Sequence, residues 1–179
     1  MMAVHEFGHV AGAIATGGRV EGVVLHPLTI SRTDVSPNPC ALIVVWAGPI
    51  IGALLPIQLF LATRGFKWTF LLQFFAGFCL IANGAYIGIG SFGKIGDAGD
   101  MLCPHNCCSE NNMLRHGSPM WPLWLFGAVC FPWGLYLWNG LGPHFGLGTA
   151  AGKVDHRAAY VCCGILLLTV LAEVALSSK

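Results

Sequence analysis

Long apolar runs separated by short polar links dominate this chain. A bilayer core about 30 Å thick takes about 20 apolar residues to cross as a helix. Residues 40–62, "CALIVVWAGPIIGALLPIQLFLA", and 68–90, "WTFLLQFFAGFCLIANGAYIGIG", meet that length, and the link "RGFK" at 64–67 makes them a predicted helical hairpin. Residues 120–141 form another predicted span, with Trp121, Trp124, Trp133 and Trp138 as aromatic anchors near its ends. Residues 157–176 form the last, with Glu173 at the water boundary. Residues 1–17 read as a shorter helix, rich in Ala and Gly, that stops at Gly17 and Gly18. The pattern predicts an α-helical integral membrane protein with about five transmembrane helices.

The stretch 19–33, "RVEGVVLHPLTISRT", is too polar for a span and is interrupted by Gly22 and Pro27. Its Val, Ile and Thr predict one or two short strands, a membrane-associated β element directly after the first helix. Glycines at 84, 88, 90, 93, 96 and 99 predict that the third segment loses helical form near its end. Irregular backbone at membrane depth survives where it is buried in protein or lines a polar cavity. Neither an internal repeat nor a linker divides the chain, so residues 1–179 are one predicted domain. The loop from about 99 to 119 is long enough to be functional or mobile.

Composition supports the membrane reading. Hydrophobic residues make up 55% of the chain and charged ones 9%, against about a quarter charged in an ordinary soluble domain. A net charge of +1, from nine thinly spread Lys and Arg, forms no basic footprint and excludes nucleic acid as a partner. Of the eight cysteines, Cys79, Cys130, Cys162 and Cys163 sit in apolar runs as small hydrophobes, which leaves Cys40, Cys103, Cys107 and Cys108 near water. That is not a secreted disulfide framework. The first 17 residues are not read as a signal peptide, because they lack a basic n-region and carry His5, Glu6 and His9 inside the apolar stretch.

Those three polar residues, in "HEFGH" at 5–9, carry the chemistry. On a helix His5 and His9 share one face, close enough for both imidazoles to bind one metal ion, with Glu6 about a third of a turn round. Zinc held by two His and one carboxylate keeps a fourth position for water and lowers the pKa of that water toward about 7, ready for a neighbouring Glu to take its proton. A carboxylate in the middle of a membrane helix costs about 2.5–3.5 kcal/mol on insertion scales, which a metal neighbour offsets. Chance is a weak rival: with 7 His in 179 residues, about 0.006 occurrences of the pattern are expected.

The third ligand is sought among four Asp and four Glu. Asp34 follows the strand region and Asp155 precedes the last span, both ordinary positions for a solvated charge. Asp97 and Asp100, in "KIGDAGDM", lie where the glycine-rich segment can fold back to membrane depth. His9 is about eight residues, or about 12 Å, inside the same surface if segments alternate. A polar turn held by Asx hydrogen bonds is the competing reading of the pair, and Asp97 is preferred over Asp100 as ligand.

The residues resemble the site-2 protease family of intramembrane zinc metalloproteases. The likeness rests on "HEFGHVAGAIATGGRVEGVVL", on "AGPIIG" at 47–52, on Asn83 and on "GDAGDML" at 96–102, in the family's order over residues 1–102. It implies His5, His9 and Asp97 as ligands of one zinc ion, Glu6 as general base, and Asn83 as a substrate-positioning residue. It also implies hydrolysis of a peptide bond in or beside a transmembrane segment of a membrane protein, in a multi-pass protein of the bacterial cytoplasmic membrane. An edge strand from residues 19–33 is expected to hold the unwound substrate by strand addition. Departures from the family pattern are Ala98 in place of Gly after Asp97, no Pro before it, and Asn83 farther upstream than usual. With four residues before His5, no preceding span and no PDZ domain, the chain reads as a minimal or N-terminally truncated member.

Other constellations are weaker. "CPHNCC" at 103–108, with His116 downstream, lacks the paired spacing of a structural zinc site and reads as a loop with incidental thiols, one of which is able to reach Cys40. His26, His144 and His156 read as ordinary loop or interfacial residues. A di-iron oxidase also uses His-x-x-x-His but needs further histidine boxes, and no His-His pair occurs here. The stronger alternative is a non-catalytic relative that binds metal and acts through a membrane partner.

Overall fold

The first helix, α1 (Met2–Ala15), has 14 residues, about 21 Å of rise, and so falls short of a bilayer core. Three later helices are long and apolar enough to cross one: α2 (Ala41–Ala62), α3 (Thr69–Gly93) and α5 (Met120–Trp138). A sixth, α6 (His156–Ser177), has a shorter apolar stretch over His156–Ala172. These elements are seen in a computed structural model that describes residues 1–25, 31–102, 117–147 and 154–177, with side chains through 172. Among the described residues the chain is mostly helical, with three candidate membrane spans, a shorter apolar helix and a small sheet. His26, His116, the "CPHNCC" cluster with its bridge to Cys40, and the Glu173 side chain lie outside the described residues.

The predicted β element is an antiparallel pair, β1 (Val20–Val24) and β2 (Arg32–Val35). Val24 faces Arg32, Val23 faces Thr33 and Gly22 faces Asp34, with an irregularity between Val20 and Gly22. Backbone bonds from Ser36 to the Arg19 carbonyl (2.8 Å) and from Arg19 to the Pro37 carbonyl (3.2 Å) extend the pairing at its open end.

The glycine-rich end of the third segment departs from its sequence reading. The helix runs unbroken to Gly93, and the chain turns only at Lys94 (φ 50°) before a short helix, α4 (Gly96–Leu102). The glycines serve packing instead. A Cβ on Gly84 would meet Cys130 Cβ and the Phe131 amide at 3.0 Å, and one on Gly88 would lie 3.2 Å from Gly127 Cα. Small residues let α3 and α5 approach backbone to backbone, and in lipid no water competes for their helical hydrogen bonds.

Two apolar clusters result. Ala53, Ile57, Phe60, Ala76, Leu80, Cys130 and Leu137 join α2, α3 and α5. Ile87, Ala98, Met101 and Leu123 seat α4 against α3, with Val45 and Trp46 of α2 and Leu123 of α5 closing over it. Ala98 and Met101 are fully buried, so α4 has a single way to seat, and that seat fixes the direction of Asp97. At the far end Asp155 caps α6 through the Arg157 and Ala158 amides and accepts from Lys67 Nζ (2.9 Å) and Trp68 Nε1 (3.3 Å). The Lys67 ammonium leads these contacts in holding the Asp155 carboxyl down to about 2.

Candidate metal centre

The α1 helix lies flush on α2 because glycines meet there. A Cβ on Gly8 would sit 2.5 Å from the Ala47 carbonyl oxygen, and one on Gly12 would sit 2.7 Å from Ala47 Cβ. A Cβ on Gly48 would fall 2.8 Å from His9 Nδ1 and nearer still to Cε1 and Nε2. This close seat buries His5, Glu6 and His9, each at most 7% exposed.

Each imidazole is oriented through its outer nitrogen. His9 Nδ1 donates to the Val44 carbonyl at 2.8 Å. His5 Nδ1 lies 2.8 Å from Asn83 Oδ1, and Asn83 Nδ2 in turn donates to the Cys79 carbonyl at 2.8 Å. That second bond sets the amide so that its oxygen faces His5, which makes Nδ1 the protonated nitrogen. Both Nε2 atoms then point inward to Asp97, whose Oδ2 is 2.6 Å from His5 Nε2 and 3.3 Å from His9 Nε2.

Asp97 reaches this depth from the first turn of α4. Gly96, at φ +56°, leaves room for the Tyr86 hydroxyl, into which any Cβ would collide. The Tyr86 oxygen accepts the Asp97 N–H at 3.2 Å, and the ring packs edge-on to His5 at 5.9 Å between centroids. Glu6 Oε2 accepts from Thr33 Oγ1 at 2.7 Å. Two cavities meet at this cluster. One of about 530 Å³ is bordered by Glu6, His9, Thr33, Tyr86, Asp97 and Asp100, and one of about 190 Å³ by Met1, Met2, His5, Glu6, Tyr86 and Asp97.

The donor set fits zinc. One ligand atom each from His5, His9 and Asp97 lie within 4.8 Å of one another. Tetrahedral zinc at about 2.0–2.1 Å separates its ligands by about 3.3 Å, so His5 and Asp97, now 2.6 Å apart, would part by about 0.7 Å and the widest pair of the set, at up to 4.8 Å, would close by up to about 1.5 Å. Two imidazoles with Nδ1–H engaged and Nε2 turned to a half-buried carboxylate are the ligand forms a divalent cation requires.

Of the residues singled out from sequence, His5, His9, Glu6 and Asp97 come together here. Asn83 is fully buried behind His5 and borders neither cavity. Asp100 borders the larger cavity but is outside the ligand group. Asp34 is an exposed strand residue beside Arg32 (3.4 Å). His144 stacks on Phe70 at 4.9 Å, and His156 opens α6. Sequence reasoning missed Thr33, Tyr86 and the Val44 carbonyl, whose roles depend on contacts that no local pattern encodes. Gly48 had a signal, since it is the first Gly of "AGPIIG".

Residues 1–87 match the family described as Peptidase M50B-like. The match takes in His5, Glu6, His9, the sheet and Asn83, and ends before Asp97. No curated protein and no solved structure matches the chain.

Proposed function

We propose, from the premise that this chain belongs over residues 1–87 to the M50B-like peptidases, the family of the site-2 proteases, that it is a zinc-dependent intramembrane endopeptidase. Its substrates are membrane proteins cut within or beside a transmembrane segment. The observation that carries the reading is a buried Glu6 at the junction of two cavities, next to three ligand groups already turned toward one point.

His5, His9 and Asp97 would hold the metal, and the Asn83 and Val44 oxygens keep the two rings in register. Bound there, zinc would supply Lewis acidity. Glu6, at the edge of both cavities, is the group that would take a proton from the attacking water and pass it to the departing amine. A helical substrate hides its amides and has to unwind, and β2 beside the larger cavity offers a row of backbone groups for it to pair with. On this reading α1 and α6 are further membrane segments beside the three spans, with α1 only partly crossing the membrane.

The test is metal content beside cleavage of a single-span reporter in detergent micelles. The expected result is about one zinc per chain in the parent and in Glu6→Gln, with cleavage by the parent alone. If Glu6→Gln cleaved as fast as the parent, the mechanism would be wrong. A parent that bound one zinc and cut no membrane segment would favour the non-catalytic relative.

A further inference from the structure

The Thr33 hydroxyl is 27 positions from Glu6 in sequence and 2.7 Å from Oε2 in space. We infer that Thr33 is a positioning residue for the general base, tying Glu6 to the strand that borders the substrate cavity. The inference rests on the protease reading and concerns a residue outside the metal ligands.

Three observations converge on it. Thr33 is half-buried between exposed Arg32 and Asp34, so its side chain is on the face of β2 that turns to α1. Alternation along a strand makes this a consequence of register, and pairing with Val23 fixes that register. The bond is at the short length of a hydroxyl donating to a carboxylate. Glu6 is also 3% exposed, so a donor to its carboxylate is needed to offset burial. Threonine suits the task because its branched Cβ restricts χ1, which aims the hydroxyl without a further contact. A carboxylate held by one oxygen presents the other in a defined direction. Glu6 is thereby aimed by the strand on which an unwound substrate would lie.

Thr33→Val keeps shape and branching and removes the donor. With zinc content equal to the parent, kcat for a fluorophore-quencher single-span reporter peptide in mixed micelles is expected to fall about 10- to 100-fold, the range for a hydrogen bond to a charged group, with KM unchanged. Thr33→Ser is expected to restore most of the rate. A purely structural role for Thr33 would move KM or zinc content, or resist rescue by Ser, and any of these results overturns the inference. A second readout needs no turnover: thermal unfolding of the zinc-loaded protein with Thr33→Val made in the parent and in a Glu6→Ala background. Thr33→Val should lower Tm in the parent and leave the Glu6→Ala protein unchanged. Equal losses in both backgrounds refute the contact. If the coupling is present while the parent cuts nothing, the positioning of Glu6 stands and the protease reading fails.

Discussion

Gly48→Ala is the sharpest test of how the metal centre is built, because it adds one methyl group at the point where α2 meets His9. The new Cβ would lie 2.8 Å from His9 Nδ1, whereas ordinary contacts begin at 3.4 Å, so a gap of at least 3.4 − 2.8 = 0.6 Å has to open, and more at Cε1 and Nε2. Metal–ligand distances tolerate about 0.2 Å. If the ring moves, His9 loses both its ligand position and its 2.8 Å bond to Val44. If α1 lifts instead, the Gly8 and Gly12 contacts with Ala47 open and Glu6 leaves Thr33. Overpacking of this kind costs about 1–3 kcal/mol against a total stability of about 5–15 kcal/mol, so the protein still folds. Zinc affinity is expected to fall at least 10- to 100-fold, the scale seen when support of a ligand is lost. Competition with a chelator measures it, with helicity by circular dichroism as the check on folding. Gly65→Ala, where a Cβ meets nothing within 4 Å, is the control and should match the parent. A Gly48→Ala protein with parental zinc affinity would refute the close seat of His9 on α2.

Three further outcomes are expected. Asp97→Asn should lose zinc in a metal-content assay while Asp100→Asn keeps it, because only the former carboxylate lies within ligand distance of both imidazoles. Asn83→Ala should weaken zinc about 10- to 100-fold in the chelator titration even though the residue borders neither cavity, since it frees His5 Nδ1. Asp155 has a folded pKa depressed from 3.8 to about 2, so its contribution is fully present above 3.8 and lost as pH falls through about 2. The Tm difference between the parent and Asp155→Asn should therefore hold from pH 7 to about 5 and shrink toward zero near pH 2; a difference that grew on acidification would contradict the pairing with Lys67.

Much of the fold was legible in the apolar pattern. The runs 40–62 and 120–141 correspond to Ala41–Ala62 and Met120–Trp138, since a membrane helix satisfies its own backbone and needs only length and apolarity to be recognised. The Val-rich stretch after α1 gave its strands for a similar reason: β-branched residues with polar alternation fit a half-buried pleat. Reading Gly84 to Gly99 as a loss of helix failed because helix propensity in water was applied to a helix whose glycines face another backbone. "HEFGH" was legible because an i, i+4 pair needs only the helix it stands on.

Everything around that pair belongs to the tertiary structure. Sequence offered Asp97 and Asp100 as alternatives; the burial of Ala98 and Met101 and the turn at Gly96 decided which of them stands beside the imidazoles. Asn83 was expected to position substrate by resemblance alone, and its contact with His5, 78 positions away, is visible only in the fold. Thr33 had no local signal at all. The helices and the two-histidine face were set by neighbours within a few residues, whereas the third ligand, the supports of the rings and the donor to Glu6 depend on contacts 27 to 92 positions apart. Such contacts exist only once the glycine seams of α1 with α2 and α3 with α5 have closed.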